Sequence, residues 1–299
     1  MADSHVIECT GLSKQYGSRQ ALDGLDLHVP KGSIFGFLGR NGAGKTTTIK
    51  ILLGMVSPTG GSGRVFGLPV DNPASSVDIR RRTGFVSEEK DLYDGMSVAQ
   101  LIDFTARCYP RWRRDLQEQY VRSFELPLDA GVKTLSRGTR TKLALLLAFC
   151  RGAELLVLDE PTSGLDPVVA DEVLQQLVGH VAREDTTIFF SSHQLAEIDQ
   201  IADRIGIVHR GRMMLAGVLD DLRQNFRRVQ AVFEHDAPAL TCSAPGIVRV
   251  RRQGRVLSVT ANGNVDAIVA EAHGLGAVAV DVTAMPLKDM FLEIVAGEN

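Results

Sequence analysis

The first two thirds of the chain alternate between strand-like and helix-like patterns of apolar residues. Leu25, Leu27 and Val29 alternate with polar residues, which predicts a half-buried strand. Short apolar runs that predict buried strands lie at 34–38, 155–158, 187–191 and 205–208. Helical periodicity predicts helices at 46–53, 98–105, 113–124, 136–150, 168–182 and 194–202. This alternation favours an α/β fold with a mainly parallel sheet, and the run of helices between about 90 and 152 predicts an inserted helical subdomain.

The pattern changes near residue 217. Short strands are predicted at 229–233, 247–250, 256–259 and 277–282. Apolar residues of 265–272 and 287–294 each fit one face of a helix, and Pro286 stands at the start of the second. The sequence therefore predicts two domains, 1–217 and a small α+β domain at 218–299.

A glycine-rich segment connects the apolar run at 34–38 to the helix that follows it. Its sequence matches G-x-x-x-x-G-K-[ST] from Gly39 to Thr46. The glycines let successive backbone N–H groups turn toward phosphate oxygens, and the helix N-terminus favours the same anion. Lys45 is predicted to reach the phosphates, and the Thr46 hydroxyl to bind Mg²⁺.

A second strand, 155–158, ends in the carboxylates that such a loop requires. Asp159 is predicted to hold Mg²⁺, and Glu160 to orient or deprotonate the attacking water. A strand that merely ends in a solvated acidic pair is the alternative. The lysine of the upstream phosphate loop favours the hydrolytic interpretation.

Further segments occur in an order that resembles the ATP-binding subunit of an ABC transporter, over about residues 5 to 217. The segment 135–140, Leu-Ser-Arg-Gly-Thr-Arg, stands where that family has its LSGGQ signature, and 163–166 resembles its D-loop. His193 resembles its switch histidine, and Tyr16 is placed like the aromatic residue that stacks on adenine. Asp166, followed by Pro167, is also suited to cap the next helix.

The resemblance implies a P-loop NTPase core with a mainly parallel sheet, an antiparallel β-subdomain and the inserted helical subdomain. It also implies a head-to-tail dimer, of like or related chains, with two ATP molecules at the interface. Each ATP would meet the phosphate loop of one chain and Ser136 and Gly138 of the other. Catalytic roles fall to Lys45, Glu160 and His193. The residues expected to bind nucleotide within the chain are Tyr16, Gly39, Asn41, Gly42, Ala43, Gly44, Lys45, Thr46, Thr47 and Asp166.

Three residues depart from the family pattern. Arg137 and Thr139 replace the Gly and Gln of the commonest signature, whereas the two residues that would contact phosphate are retained. Glu88 occupies the Gln position of the Q-loop and adds a negative charge. We expect Glu88 to approach Mg²⁺, with a merely solvated loop carboxylate as the alternative.

The C-terminal domain resembles the short accessory domain of ATPases of ABC-2-type bacterial exporters. That resemblance implies a separately encoded integral-membrane permease and a location at the cytoplasmic face of the membrane. It gives no chemistry to the accessory domain. Bracing or regulating the dimer is a hypothesis for that domain.

Composition and charge exclude several other kinds of protein. The chain has 299 residues and a formal net charge of −3, which argues against a general nucleic-acid binder. The same charge disfavours a nucleic-acid contact for the basic and aromatic cluster at 109–114, which includes Trp112. The family resemblance implies that this region faces the membrane partner, and a solvated helix start with one packed tryptophan is the alternative. No apolar run approaches the roughly 20 residues of a membrane span, and the N-terminus lacks a secretory pattern. The four cysteines are widely spaced, which predicts reduced thiols.

Two alternatives to an exporter ATPase stay open at this point. One is a soluble ABC ATPase that drives a protein assembly or remodelling process without a membrane partner. The other is a catalytically inactive regulatory subunit, which the presence of Lys45, Asp159, Glu160 and His193 disfavours.

Overall fold

A computed structural model describes residues 5–239 and 245–296 of the chain. The backbone divides into two compact units, Met1–Met213 and Met214–Asn299. The division falls four residues before the predicted boundary at 217, and both positions lie within strand Arg212–Val218.

The first unit contains two sheets. Its strands are β1 (His5–Tyr16), β2 (Arg19–Pro30), β3 (Ile34–Leu38), β4 (Gly60–Val65), β5 (Leu68–Pro69), β6 (Thr83–Val86), β7 (Leu155–Asp159), β8 (Thr187–Ser192), β9 (Arg204–His209) and the first two residues of β10 (Arg212–Val218). Its helices are α1 (Lys45–Leu52), α2 (Pro73–Arg82), α3 (Val98–Cys108), α4 (Arg114–Ser123), α5 (Arg137–Phe149), α6 (Pro167–Glu184) and α7 (Leu195–Ile201), with a 3₁₀ turn at Val132–Thr134.

The larger sheet has six strands in the order β10-β9-β3-β8-β7-β6. The pairs β6–β7, β7–β8, β3–β8 and β3–β9 are all parallel. Every residue of β3, β7 and β8 is buried, as expected of strands covered on both faces. The carboxyl ends of these three strands therefore share one edge, which is where the phosphate loop and the acidic pair begin.

The smaller sheet, in the order β2-β1-β4-β5, is antiparallel throughout. This arrangement confirms the antiparallel β-subdomain that the family resemblance implied. Strand β1 has several register shifts against β2, and these irregularities blur the alternation of apolar residues.

Helices α3 to α5 form the predicted insertion between β6 and β7. Ser97 caps α3 in a capping box with Gln100. The insertion is joined to α6 by a buried pair, Tyr120 on α4 and His180, whose hydroxyl and Nδ1 are 3.1 Å apart. Burial lowers the pKa of His180 to about 4, so the imidazole is neutral near pH 7.

The second unit has a four-stranded antiparallel sheet in the order β12-β13-β11-β14. Its elements are α8 (Leu219–Asn225), β11 (Phe226–Val232), β12 (Ile247–Gln253), β13 (Val256–Asn262), α9 (Val265–Gly274), β14 (Ala279–Ala284) and α10 (Leu287–Ala296). The last strand begins two residues later than predicted, because the Ala277 N–H closes α9 by bonding to the Ala272 carbonyl. Within the described ranges Cys9, Cys108 and Cys150 are free thiols, and Cys242 lies outside those ranges.

Candidate nucleotide site

The phosphate loop makes a sharp turn between β3 and α1. Gly42 and Gly44 have φ values of 80° and 110°, which side chains rarely allow. A Cβ on Gly44 would also lie 2.6 Å from Leu22 Cδ2 and 2.8 Å from the Ala21 carbonyl oxygen. Only glycine fits here, so the backbone itself forms the inner surface of the loop.

The first turn of α1 has no side-chain cap and no acidic residue. Its N–H groups are the ones that a helix cannot satisfy internally, and they carry the positive end of the helix dipole. By contrast, α5 and α6 are capped by Ser136 and Asp166. The loop and the start of α1 therefore offer hydrogen-bond donors to an anion.

A cavity of about 510 Å³ lies over this loop. Its walls consist of Tyr16, Arg19, Ala21, Asn41, Gly42, Gly44, Lys45, Thr46, Thr47, Lys50, Glu88 and Glu160. Tyr16 is 43% exposed, and Lys14 Nζ lies over its ring at 5.0 Å from the ring centroid. The cavity brings together most of the residues predicted to bind nucleotide, and it adds Arg19, Ala21 and Lys50.

Lys45 reaches back over the loop from the first position of α1. Its Nζ donates to the Gly39 carbonyl oxygen at 2.7 Å and lies 3.1 Å from Glu160 Oε1. Both side chains are only 6% exposed. Gly39 and Ala43 do not line the cavity: a Cβ on Gly39 would lie 2.8 Å from Val208 Cγ1, so Gly39 serves close packing.

Glu160 follows β7 with a φ of 49°, an uncommon conformation for a residue with a side chain. Its N–H donates to Ser191 Oγ at 3.0 Å, and its Oε2 accepts from His193 Nδ1 at 2.8 Å. Oε1 is buried, lies 3.1 Å from Lys45 Nζ and accepts no hydrogen bond from the described residues. The carboxylate therefore keeps one oxygen whose capacity to accept a hydrogen bond is unused.

Asp159 is 2% exposed and lies behind Glu160 rather than on the cavity wall. Its Oδ1 accepts from Ser191 Oγ at 2.6 Å. Sequence reasoning missed Ser191, although a signal was present: the apolar strand β8 ends in two serines, and the parallel register pairs Ser191 with Asp159. Ser191 orients both residues of the acidic pair.

Three oxygen ligands are available for a divalent cation. Thr46 and Glu88 line the cavity, whereas Asp159 is buried and does not line it. No group of three or more His, Cys, Asp or Glu side chains forms a metal cluster among the residues described. A small set of hard oxygen ligands fits Mg²⁺, which usually keeps several waters and takes further ligands from phosphates.

The signature residues and Asp166 do not line this cavity. Ser136 Oγ accepts from the Thr139 N–H at 3.1 Å, and Asp166 Oδ1 accepts from the first N–H groups of α6. A separate cavity of about 540 Å³ lies beside the signature. Its walls consist of Glu88, Glu89, Lys90, Leu135, Arg137, Arg140 and Ser163. Glu88 lines both cavities, whereas Ser136 and Gly138 line neither of them.

None of the helices in the described ranges is both long enough and apolar enough to cross a bilayer.

Comparisons with known proteins agree with this geometry. A family model described as "ABC transporter" matches residues 22–163. The bacitracin transport ATP-binding protein BcrA of Bacillus licheniformis is 31% identical over 98% of this chain and 98% of its own length. The daunorubicin/doxorubicin resistance ATP-binding protein DrrA of Streptomyces peucetius is 35% identical over 78% of this chain and 72% of its own length.

The fold has counterparts among solved structures. An ATP-binding subunit of an ABC transporter is 27% identical and superposes with a TM-score of 0.65, over 73% of this chain and 92% of its own.

Proposed function

The chain belongs to the family of ABC transporter ATP-binding proteins, and from this premise we propose that it hydrolyses ATP to drive export through a separate membrane protein. The proposal rests above all on Glu160, which lines the cavity over the phosphate loop and whose carboxylate lies between Lys45 and His193. This is the arrangement that a base acting on a water molecule requires. The names of BcrA and DrrA support export of an antibiotic-like compound.

We assign the residues of the cavity as follows. The loop N–H groups and Lys45 bind the phosphates, and Tyr16 stacks on the adenine. Thr46, Glu88 and Asp159 hold Mg²⁺, which neutralises phosphate charge when it is bound. Glu88 brings a full negative charge where the family pattern has an amide, which strengthens metal binding and weakens the approach of phosphate.

The second half of each ATP site comes from another copy of the chain or from a related chain. Ser136 is exposed at the N-terminus of α5, and the Gly138 backbone lies in its first turn. These groups suit a γ-phosphate presented from outside. ADP lacks that phosphate, so hydrolysis removes the contact, and the pair opens. Asp166, at the start of α6, lies near the same proposed interface.

A groove of about 550 Å³ suits the membrane partner. Its walls carry Arg81, Arg82, Arg111 and Arg151 beside Asp78, with apolar surface from Leu68, Tyr109 and Pro110. Arg81 pairs with Asp78, and Arg82 and Arg111 pair with Glu154. We propose that an acidic or amide-rich segment of a permease docks here. The indole N–H of nearby Trp112 donates to Gln117 within the chain at 2.7 Å, which favours a packing role over nucleic-acid contact.

The ATPase assignment is tested by Glu160→Gln in the full-length chain. We expect kcat to fall by about a hundredfold or more, while ATP binding is kept, because the amide cannot take a proton. Glu118→Gln, an exposed substitution of the same kind on α4, is the matched control. Turnover at the wild-type rate in Glu160→Gln would refute the assignment.

The partner is tested by purifying the chain from detergent-solubilised membranes and identifying what comes with it. A multi-pass protein in stoichiometric amount supports the exporter. Recovery of soluble proteins alone would replace it with an ATPase that acts on a protein assembly.

A further inference from the structure

Lys90 is a buried lysine that the assigned ATPase roles do not use. It is only 4% exposed, yet it lies in the exposed segment that follows Glu88 and Glu89. A buried ammonium is costly unless its protons are bonded. Its Nζ donates to the backbone carbonyl of Glu160 at 2.8 Å, across 70 positions of sequence.

This contact fixes the residue that carries the proposed base. Glu160 has a φ of 49°, and an L residue held in this region costs energy. Such a backbone persists only where its surroundings hold it in place. The Glu160 N–H is held by Ser191 Oγ, and its carbonyl is held by Lys90. The two bonds restrain the peptide groups on both sides of the Glu160 Cα, and so they set the direction of the carboxylate.

Lys90 is itself tied to the helix that begins at the signature. Its carbonyl accepts from Arg140 Nε at 3.3 Å, and the Arg140 N–H bonds to the Ser136 carbonyl at 2.9 Å. Arg140 also forms an ion pair with Asp94. A continuous series of hydrogen bonds thus runs from Ser136 through Arg140 and Lys90 to Glu160.

We propose that Lys90 is a positioning residue for Glu160, and that it links the orientation of the catalytic carboxylate to the placement of helix α5. When a phosphate binds at Ser136 and shifts α5, the shift reaches Glu160 through Lys90. Lys90 does not line the nucleotide cavity, so it acts on the chemical step rather than on ATP binding. This inference rests on the proposed role of Glu160 as the base.

The test compares Lys90→Met with Lys90→Arg in the full-length chain. Methionine keeps the length of the side chain and removes the ammonium, which leaves the Glu160 carbonyl without its donor. We expect kcat to fall by about tenfold to a hundredfold, the range that follows a displacement near 1 Å at a reacting group, with KM changed by less than about threefold. Arginine keeps a donor and should restore at least half of the lost kcat.

A double-mutant cycle separates this inference from the ATPase assignment itself. Once Glu160→Gln has removed the base, adding Lys90→Met should lower kcat no further, since both act through one group. Additive losses, a rise in KM alone, or a wild-type kcat in Lys90→Met would overturn the inference. Wild-type turnover in Glu160→Gln would instead overturn the assignment of the base.

A second variant tests the link between α5 and Glu160 if Lys90→Met does not fold. Arg140→Gln removes the donor to the Lys90 carbonyl and should lower kcat by about threefold to tenfold without changing KM. Asp94→Asn is its control, because it breaks the ion pair with Arg140 and leaves the bond to Lys90 in place. Equal kcat values in these two variants and the wild type would overturn the proposed link.

Discussion

The phosphate loop and the signature segment both offer a helix N-terminus to phosphate, but they are built in opposite ways. In the phosphate loop Lys45 is only 6% exposed and is held by Gly39 and Glu160, and α1 starts without a side-chain cap. The signature is exposed, and Ser136 caps α5 with its own oxygen. The first site is complete within the chain, whereas the second is a surface that only another molecule can close.

The Ser136 hydroxyl of the signature also makes hydrogen bonds within its own chain. Ser136 Oγ also lies 2.8 Å from Thr139 Oγ1, and either hydroxyl can donate to the other. Because an oxygen can accept from the Thr139 N–H and still donate its own proton, the cap survives when that proton turns to a phosphate. Thr139, one of the departures from the family signature, thus holds the serine ready without blocking it.

The largest expected effect on ATP binding comes from the phosphate loop, where Lys45 is buried. Lys45→Ala removes a charged donor and leaves the Glu160 carboxylate buried without its cation, and we expect ATP to bind about a hundredfold more weakly. Lys50→Ala, on the exposed rim of the same cavity, should cost less than about threefold because water screens that charge. Titration calorimetry at fixed Mg²⁺ measures both. Equal losses would show that the burial of Lys45 contributes nothing.

A smaller effect, on dimerisation, is expected at the exposed signature segment. Ser136→Glu places a carboxylate where the γ-phosphate should approach, so ATP-dependent dimerisation of the Glu160→Gln chain should weaken by about tenfold or more. ATP binding to the single chain should not change. Sedimentation velocity measures the dimer, and Ser123→Glu, at the end of α4, adds the same charge elsewhere. A dimer weakened equally by both substitutions would place the interface elsewhere.

The smallest effect is expected at the edge of the cavity. Tyr16→Ala should weaken ATP binding by about threefold, because a stacked ring contributes roughly 0.5–1.5 kcal/mol. Tyr16→Phe keeps the ring and should bind ATP as the wild type does, which fluorescence titration can compare directly. If the phenylalanine variant binds as weakly as the alanine variant, the contact involves the hydroxyl group and not the ring face.

The sequence predicted those parts of the site that depend on residues close together in the chain. Gly39 to Thr46 form one continuous segment, which its motif identifies. Asp159 and Glu160 follow one apolar strand, which the hydrophobic pattern identifies. The α/β class, the inserted helices and the caps Ser97 and Ser136 followed from periodicity and capping preferences.

The contacts of Glu160 could not be predicted in the same way. Ser191, His193 and Lys90 reach it from 31, 33 and 70 positions away. Lys90 lies in a polar, charged stretch that looks solvated, and its burial follows only from the packing of α5 against that stretch. The bulged pairing of β1 with β2 likewise removes the two-residue period on which a strand prediction depends.

The contacts of Lys45 also determine when its conformational freedom is lost. A free lysine side chain carries roughly 2 kcal/mol of rotamer entropy, which binding a ligand would ordinarily remove. Here the Gly39 carbonyl and Glu160 hold Nζ in the loop as part of the fold. The entropy is therefore given up when the chain folds, and an arriving phosphate meets a cation that no longer has to be ordered.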